Sequence, residues 1–289
     1  MKKEFKSPAK INFFLRVTGK RPDGYHTLIS LMSPISLHDT ISIIFNEKGI
    51  NTICKHPDVP DGHENIAYQA AELFFKSTGI DGGVKILIKK KIPVGGGLGG
   101  GSSNAATVLT ALNKFYKSPL SKKKLSQIAT SLGADVPFFI DQVTALATGI
   151  GECLYPVNIK IKKTLALIYP GFPVSTAWAF KNLNLNLTTD EINDNNFYLI
   201  FKYKKNYEFF DFDWLSDIHN DLETVTFKRY PELLVIKNKL ISMGAEKSFM
   251  SGSGSSIIGI FTDNNICQKA CDEIKKHSTW HAYVCYVKG

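Results

Sequence analysis

The sequence predicts a protein that combines strands and helices in two consecutive domains. Three observations lead to this prediction. The 289 residues suffice for two cores of ordinary size. Runs with two-residue hydrophobic periodicity alternate with runs at helical spacing along most of the chain. A basic run at residues 160–163 interrupts the apolar pattern, so we assign the domains to residues 1–158 and 159–289.

The composition is typical of a globular protein that binds small molecules. Apolar residues make up 44% and charged residues 21% of the chain, and no segment approaches the ~18 uninterrupted apolar residues of a membrane span. Glu4, Pro8 and Lys10 interrupt the stretch where a signal peptide has its apolar core, and the five cysteines show no pairing pattern. We therefore expect a cytoplasmic protein with reduced thiols and without a membrane or obligate protein partner.

The net charge of +9 raises the question of nucleic-acid binding. Only three basic residues are arginine, and the lysines are spread along the chain beside many asparagines. Proteins that read nucleic acids favour arginine for its bidentate hydrogen bonds. We therefore expect no nucleic-acid partner, although a modest positive field attracts a polyanionic small molecule.

The first strand and the turn after it carry candidate substrate contacts. Residues 5–17 alternate, which places Lys10 and Asn12 on the face opposite the apolar side chains. The turn at residues 19–26 ends in Tyr25 and His26, two side chains that can stack on a base and hydrogen-bond to it. A solvated strand face and an ordinary surface turn are the alternatives. Further strands are predicted at residues 29–35 and 40–45.

Residues 65–78 predict an amphipathic helix with Asn65 at its N-cap. Capping alone accounts for Asn65, and a nucleotide contact is the second interpretation.

A glycine loop between a strand at residues 84–88 and a helix at residues 105–115 is the most informative segment. It holds six glycines in seven positions. Glycine is favoured where the backbone takes a positive φ or approaches a ligand closely. The loop also brings free N–H groups to a helix N-terminus, which predicts a phosphate site. Its residues are Pro93, Val94, Gly95, Gly96, Gly97, Leu98, Gly99, Gly100, Gly101, Ser102 and Ser103.

The residues in and after the glycine loop exclude two common phosphate-binding motifs. The dinucleotide fingerprint requires an acidic residue about 20 positions later, and none occurs between Asp81 and Asp135. A Walker A loop ends in Gly-Lys-Ser/Thr, whereas Gly101 is followed directly by Ser102. A flexible linker is the remaining alternative, but a linker need not lie tightly between a strand and a helix.

Asp135 is a second candidate for chemistry. It is the only carboxylate between Asp81 and Asp141, and apolar residues follow it. A carboxylate in such surroundings is costly unless it has a partner or a function. Lys10 is the simplest partner, and helix capping is the alternative.

The second half of the sequence predicts strands and helices around a further small-residue loop at residues 250–256. The glycine loop and this second loop together suggest a single ligand that both loops contact. Residues 182–213 are rich in Asn, Asp and Lys and predict a long insertion. The predicted strands are 143–148, 152–157, 164–169, 247–250, 257–261 and 280–287, and the predicted helices are 122–132, 231–243 and 264–277.

Three segments together resemble the motifs of the GHMP kinases, a family that includes galactokinase, homoserine kinase, mevalonate kinase and phosphomevalonate kinase. They are residues 8–12 (Pro-Ala-Lys-Ile-Asn), the glycine loop and residues 251–256. The resemblance implies an α+β fold: an N-terminal domain with a left-handed βαβ crossover and a C-terminal ferredoxin-like domain. It also implies ATP and Mg²⁺ as cofactors.

Residues 21–26, 133–139 and 220–223 resemble the family members that phosphorylate a cytidine diphosphate-linked alcohol in the non-mevalonate isoprenoid pathway. By position, the resemblance makes Asp135 the general base and Lys10 the lysine beside it. It implies nucleotide binding by the glycine loop. The positions that match substrate or nucleotide contacts are Asn12, Tyr25, His26, Thr176, Phe180 and Asn65.

Three questions stay open at this point. The metal ligands are not assigned, since Ser102, Ser103 and Glu152 are equal candidates. A kinase for mevalonate, homoserine or a sugar would share the loops, with Tyr25 and His26 incidental. A non-catalytic protein that binds nucleotides or RNA is the third reading, against which the presence of both Lys10 and Asp135 argues.

Overall fold

The computed structural model of the protein describes residues 1–159, 161–184, 215 and 217–288. The chain forms two compact units, each assembled from several segments. The first unit comprises Met1–Lys10, Ile35–Val94 and Leu98–Gln142; the second comprises Ile11–Pro34, Gly95–Gly97 and the described part of Val143–Gly289. Each unit joins stretches that are separate in the sequence, so the predicted boundary after residue 158 stays a prediction.

The first unit is built on a sheet to which two long strands contribute. Strands β1 (Lys2–Lys20) and β2 (His26–Phe45) run through both units. In the first unit, β4 (Val84–Lys89) pairs antiparallel with β2 and parallel with β3 (Ile50–Cys54). Helix α1 (Ile66–Thr78) connects β3 to β4, which gives the βαβ unit that was expected. Its left-handed crossover stays a prediction.

Strand β2 corrects the prediction of two strands at residues 29–35 and 40–45. It is continuous from His26 to Phe45. The four residues between the predicted strands are Ser, Leu, His and Asp, and none of them is a glycine or proline that would break the ladder.

Three further helices complete the first unit: α2 (Gly100–Phe115), α3 (Lys122–Leu132) and α4 (Phe138–Asp141). Helix α2 begins five residues earlier than predicted, directly after Gly99, which has a φ of 67°. Helices α1 and α2 pack together, and each contains three buried alanines, whose small side chains permit a close approach. These are Ala67, Ala70 and Ala71 of α1 and Ala105, Ala106 and Ala111 of α2.

The second unit holds a four-stranded antiparallel sheet in the order β11-β7-β10-β9. Its strands are β7 (Thr164–Tyr169), β9 (Lys247–Met250), β10 (Ile257–Phe261) and β11 (His281–Tyr286). Helices α7 (Glu232–Ser242) and α8 (Asn264–His277) pack against it. These elements confirm the alternation predicted for the last part of the chain.

The remaining elements of the second unit are short. Strand β5 (Ala145–Thr148) pairs with β2 and with β6 (Cys153–Pro156), and β8 (His219–Asn220) pairs in parallel with β1. Helices α5 (Thr176–Asn182) and α6 (Glu223–Arg229) complete this unit. From residue 185 onwards, the insertion predicted at residues 182–213 lies outside the described residues. Across the ranges that the structure describes, no helix is long and apolar enough to cross a membrane.

Candidate active site

Lys10 and Asp135 lie together in the first unit. The Nζ atom of Lys10 is 3.5 Å from Oδ2 of Asp135, and their side chains are 5% and 38% exposed. Lys10 is held in the buried part of β1, whereas Asp135 lies in the turn that joins α3 to α4. The alternative role of Asp135 as a helix cap does not hold, because Pro137 is the N-cap residue of α4 and no side chain caps that helix. A buried cation therefore faces a carboxylate that solvent and a substrate can reach.

The second half of the glycine loop packs directly on Lys10. The backbone N–H of Lys10 donates to the carbonyl oxygen of Leu98 over 3.0 Å. A Cβ atom on Gly99 would lie 2.8 Å from Cζ of Phe139 and 3.2 Å from Cγ of Lys10. Glycine is thus required at position 99 both by the positive φ and by this close approach. The structure brings the ion pair and the N-terminus of α2 to one place in the first unit.

The N-terminus of α2 supplies donors for an anion. The first N–H groups of a helix have no partner inside the helix, and the helix dipole favours negative charge there. Gly101 is exposed and Ser102 is half-buried at this end, whereas Ser103 is buried and accepts a hydrogen bond of 2.7 Å from the hydroxyl of Ser7. Of the two serines, Ser102 is therefore the one that a ligand can reach.

Asn65 is fully engaged in local structure. Its Oδ1 atom accepts a hydrogen bond from the N–H of Ala67 over 2.9 Å, and its Nδ2 atom donates to the carbonyl oxygen of Pro60 over 2.7 Å. The predicted N-cap is confirmed. The nucleotide contact implied for Asn65 stays a prediction.

Gly95–Gly97 of the glycine loop lie in the second unit, against the loop at residues 251–256. The hydroxyl of Ser251 donates to the carbonyl oxygen of Gly97 over 3.2 Å. The N–H of Ser256 donates to the carbonyl oxygen of Gly96 over 3.2 Å. A Cβ atom on Gly97 would lie 2.1 Å from the carbonyl oxygen of Ser251. The two small-residue loops are therefore in direct contact within this unit.

Asn12 is buried beside the same loop. Its backbone N–H donates to the hydroxyl of Ser251 over 3.3 Å, and its Nδ2 atom donates to the hydroxyl of Ser30 over 2.8 Å. Ser30 in turn donates to the carbonyl oxygen of Phe14 over 2.7 Å. These bonds fix the orientation of the amide of Asn12. Ser30 was missed by sequence reasoning because a serine in a strand carries no motif.

A pair of stacked rings lies elsewhere in the second unit. The rings of His26 and Phe180 have centroids 5.4 Å apart and an interplanar angle of 23°. Tyr25 is 60% exposed next to His26, and the hydroxyl of Thr176 lies 2.9 Å from that of Ser253. Burial lowers the pKa of His26 below its ordinary value of 6.5, and the charge of Lys20 lowers the pKa further. The lowered pKa favours the neutral imidazole of His26.

Sequence reasoning missed three buried polar residues of the first unit. Lys90 and Asn104 both donate hydrogen bonds to Asp39, near the two ends of the glycine loop. Asp39 was missed because it lies between the strands predicted at residues 29–35 and 40–45, where an aspartate is ordinary for a turn.

Of the candidate metal ligands Ser102, Ser103 and Glu152, only Glu152 is a carboxylate. Within the described ranges, no three His, Cys, Asp or Glu side chains are grouped so as to hold a metal ion. The carboxylate of Glu152 accepts a hydrogen bond from the N–H of Ile150 over 2.7 Å and closes a local turn.

Comparison with known protein families decides the class of this chain. The model for the N-terminal domain of the GHMP kinases matches residues 65–142, and the model for their C-terminal domain matches residues 208–277. Together the matches cover just over half of the chain. The chain belongs to the GHMP kinase family. As a GHMP kinase it is a small-molecule kinase of a family that uses ATP, so the reading as a non-catalytic binding protein is wrong.

Two relatives that match nearly the whole chain carry one name. A 4-diphosphocytidyl-2-C-methyl-D-erythritol kinase of Syntrophotalea carbinolica is 42% identical over 280 residues, which cover 96% of each chain. The protein of the same name from Geobacter sp. strain M21 is 43% identical over 277 residues, which cover 96% of this chain and 95% of that one.

Solved structures of GHMP kinases confirm the predicted α+β fold in two domains. A crystal structure of 4-(cytidine 5'-diphospho)-2C-methyl-D-erythritol kinase superimposes with a TM-score of 0.79 at 32% identity and covers 99% of this chain and 100% of that one. Mevalonate kinase of Methanococcus jannaschii superimposes with a TM-score of 0.69 at 14% identity, over 100% of this chain and 99% of that one. The second likeness shows the fold alone.

Proposed function

We propose that this GHMP kinase transfers the γ-phosphoryl group of ATP to the 2-hydroxyl of 4-diphosphocytidyl-2-C-methyl-D-erythritol, in the non-mevalonate isoprenoid pathway. The observation that carries the proposal is the 42% identity over 96% of both chains to a relative of that name. The acidic and basic side chains of the first unit and the rings of the second unit supply groups suited to this reaction.

The N-terminus of α2 and the glycine loop would bind the phosphates of ATP. The N–H groups of the first helical turn and the positive end of the helix dipole favour anions. The positive φ values at Gly95, Gly97 and Gly99 turn the loop backbone in ways that other residues adopt only with strain. The net charge of +9 adds a field that attracts the nucleotide.

Asp135 would act as the general base. The hydroxyl oxygen of the acceptor forms a bond to the γ-phosphorus while the bond to the β,γ-bridging oxygen breaks, and ADP leaves. The hydroxyl proton moves to the carboxylate of Asp135. The ammonium of Lys10, 3.5 Å from that carboxylate, would orient it and counter the negative charge of the phosphoryl group in flight.

The cytidine of the acceptor would be bound by rings of the second unit. Base stacking on an aromatic ring is worth ~1–3 kcal/mol per base. Tyr25 and Phe180 present such rings, and the neutral imidazole of His26 presents one hydrogen-bond donor and one acceptor to the polar edge of the base. The amide of Asn12 and the hydroxyl of Thr176 are proposed as further substrate contacts.

Mg²⁺ would enter with the nucleotide. Mg²⁺ binds mainly to phosphate oxygens and waters and needs few protein oxygens. This requirement fits the donor set, since the half-buried hydroxyl of Ser102 offers a single oxygen at the start of α2. Bound Mg²⁺ supplies charge neutralisation for the β- and γ-phosphates. The absence of nucleic-acid, membrane and protein partners and the cytoplasmic location stay predictions.

A coupled assay of ADP release tests the acceptor. We expect turnover with Mg-ATP and 4-diphosphocytidyl-2-C-methyl-D-erythritol, and none above background with mevalonate, homoserine or galactose. 2-C-methyl-D-erythritol 4-phosphate is the control acceptor that lacks the cytidine group. Its turnover should be lower than that of the cytidine-linked acceptor, because the stacking contact is lost. Efficient turnover of mevalonate, homoserine or galactose would contradict the proposed acceptor and leave the kinase assignment in place.

A further inference from the structure

A single buried carboxylate is bonded to both ends of the glycine loop. Asp39 lies in β2 and is completely buried. Its Oδ1 atom accepts hydrogen bonds from the backbone N–H groups of Lys91 over 2.7 Å and of Ile92 over 2.9 Å. Its Oδ2 atom accepts from Nζ of Lys90 over 2.5 Å and from Nδ2 of Asn104 over 3.0 Å.

These four donors come from opposite sides of the loop. Lys90, Lys91 and Ile92 lie between the end of β4 and Pro93, where the chain enters the loop. Asn104 belongs to the first turns of α2, where the chain leaves it. Hydrogen bonds to an ionised acceptor are about twice as strong as neutral ones, and burial strengthens them further. The carboxylate of Asp39 therefore binds both ends of the loop.

The ion pair also places a charge at the N-terminus of α2. The side chain of Lys90 is 6% exposed, and its Nζ atom would lie 3.0 Å from a Cβ atom on Gly100. A cation at the positive end of a helix dipole is unfavourable by itself. The carboxylate of Asp39 pairs with this ammonium and offsets the repulsion.

The network extends to the strand that carries Lys10. The Nδ2 atom of Asn104 also donates to the hydroxyl of Ser7 over 2.9 Å, and that hydroxyl donates to Ser103 over 2.7 Å. Ser7 is three residues before Lys10 in β1, and both serines are completely buried. One connected set of buried bonds thus holds the start of α2, the entry of the loop and β1.

We propose that Asp39 is a positioning residue for nucleotide binding: by holding both ends of the glycine loop it sets the affinity for ATP. A loop with six glycines loses much conformational entropy when it becomes ordered. A ligand binds more tightly when the protein has already ordered such a loop. The inference rests on the proposed function in one respect, namely that ATP binds at this loop.

Asp39→Asn is the principal test variant. Asparagine keeps one acceptor oxygen for the N–H groups of Lys91 and Ile92 but turns an NH₂ group towards Lys90 and Asn104, which are donors themselves. We expect the Kd for Mg-ADP, measured by calorimetry, and the KM for ATP to rise about tenfold, as loss of hydrogen bonds to a charged group predicts. The KM of the acceptor and kcat should change by less than about threefold, since Asp39 is bonded directly to the ends of the loop and reaches β1 only through Asn104 and Ser7.

Asp221→Asn is the matched control. Asp221 is a carboxylate of the second unit that is 4% exposed and accepts a hydrogen bond from the N–H of Val17 over 2.7 Å. The same substitution there should lower Tm while the Kd for Mg-ADP stays unchanged.

Asn104→Ala is a second, milder variant, because alanine favours the helix and only the bonds at the exit of the loop are lost. We expect a rise of about threefold in the Kd for Mg-ADP.

Hydrogen exchange without nucleotide measures how well the amides of the loop are protected, and thus how well the loop is ordered. Amides of residues 94–101 should exchange faster in Asp39→Asn than in the wild type, whereas those of α1 should not change. Unchanged loop exchange and an unchanged Kd, with a Tm lowered as in Asp221→Asn, would overturn the proposal. If Asp39→Asn does not fold, loop exchange and the Kd for Mg-ADP of Asn104→Ala decide whether the proposal holds. A wild type that does not bind Mg-ADP refutes the proposed function instead, and loop exchange then still decides whether Asp39 positions the loop.

Discussion

The Lys10–Asp135 pair of the first unit and the His26–Phe180 pair of the second unit are held in different ways. Lys10 is in the buried middle of β1, and the glycine loop packs against it. His26 is the first residue of β2, Phe180 belongs to a seven-residue helix, and both rings are partly exposed. Lys10 of the proposed catalytic pair is thus fixed by the interior, whereas both rings proposed for recognition are partly exposed.

This difference has a chemical reason. Phosphoryl transfer tolerates little displacement of the base, because the reacting atoms must stay aligned. Stacking on a base tolerates small displacements, since every base presents a face of the same kind. A change in the first pair should therefore reduce kcat, and a change in the second pair should mainly raise the KM of the acceptor.

The largest expected effect is on turnover. Asp135→Asn removes the proton acceptor while the side chain keeps its shape, so kcat should fall by about 10²- to 10⁴-fold. The KM values for ATP and the acceptor should change by only a few-fold, because an asparagine still fits beside Lys10. Steady-state kinetics by ADP release measures both quantities.

Asp141→Asn is the matched control for this variant. Asp141 is also 38% exposed and is also paired with a lysine, Lys122, at 2.9 Å. It ends α4, six residues after Asp135, and has no proposed role in the reaction. Its kcat should remain within about twofold of the wild type, as is usual for a change in an exposed ion pair. Equal losses in both variants would show that charge near α4, and not proton transfer, accounts for the effect.

A smaller effect is expected in the second unit. Phe180→Ala removes one ring of the stacked pair, so the KM of the cytidine-linked acceptor should rise about tenfold, in line with the loss of one stacking contact. The value of kcat at saturation should stay within about threefold. Kinetics at varied acceptor concentration separates the two.

Trp178→Ala provides a control on the same helix. Trp178 packs against Arg229, whose guanidinium lies 4.6 Å from the ring centroid, and against Tyr230. Its loss should reduce stability with little effect on the KM of the acceptor. A KM that rises equally in both variants would mean that α5 as a whole, and not the ring of Phe180, determines recognition.

Local patterns in the sequence were sufficient for most elements of the fold. The helix at residues 65–78 was predictable from its spacing and from the cap at Asn65. The start of α2 was not, because a helix that begins with two glycines is opposed by their propensity and depends on the packing of Gly99 against Lys10 and Phe139. Long-range contacts thus decided where local preference was weak.

The candidate site was predictable where a motif or a costly residue marked it. Asp135 stood out as an isolated carboxylate, and it does lie beside Lys10. The stacking of His26 on Phe180 joins residues 154 positions apart, and no local pattern determines such a contact. The bonds of Asp39 were equally hidden, since they depend on the register of β2 against β4, where Thr40 pairs with Lys89.

The smallest expected effect is on the titration of His26. Burial and then the charge of Lys20 place its pKa below 6.5. A side chain whose pKa is lower in the folded state contributes stability above its unfolded pKa and loses it as the pH falls through the folded pKa. We therefore expect the His26–Phe180 pair to loosen below pH 6.5, and NMR titration of the His26 ring measures the pKa.

The two causes of the lowered pKa can be separated by substitution. Phe180→Ala admits water to one face of the imidazole, so the pKa of His26 should rise towards 6.5. Lys20→Gln removes only the charge, and the pKa should rise by a smaller amount. If Lys20→Gln moved the pKa more than Phe180→Ala, charge and not burial would dominate, and the ring pair would be more hydrated than its 5.4 Å stacking indicates. The rings of the second unit would then bind a substrate mainly by polarity, which would sharpen their contrast with the Lys10–Asp135 pair of the first unit.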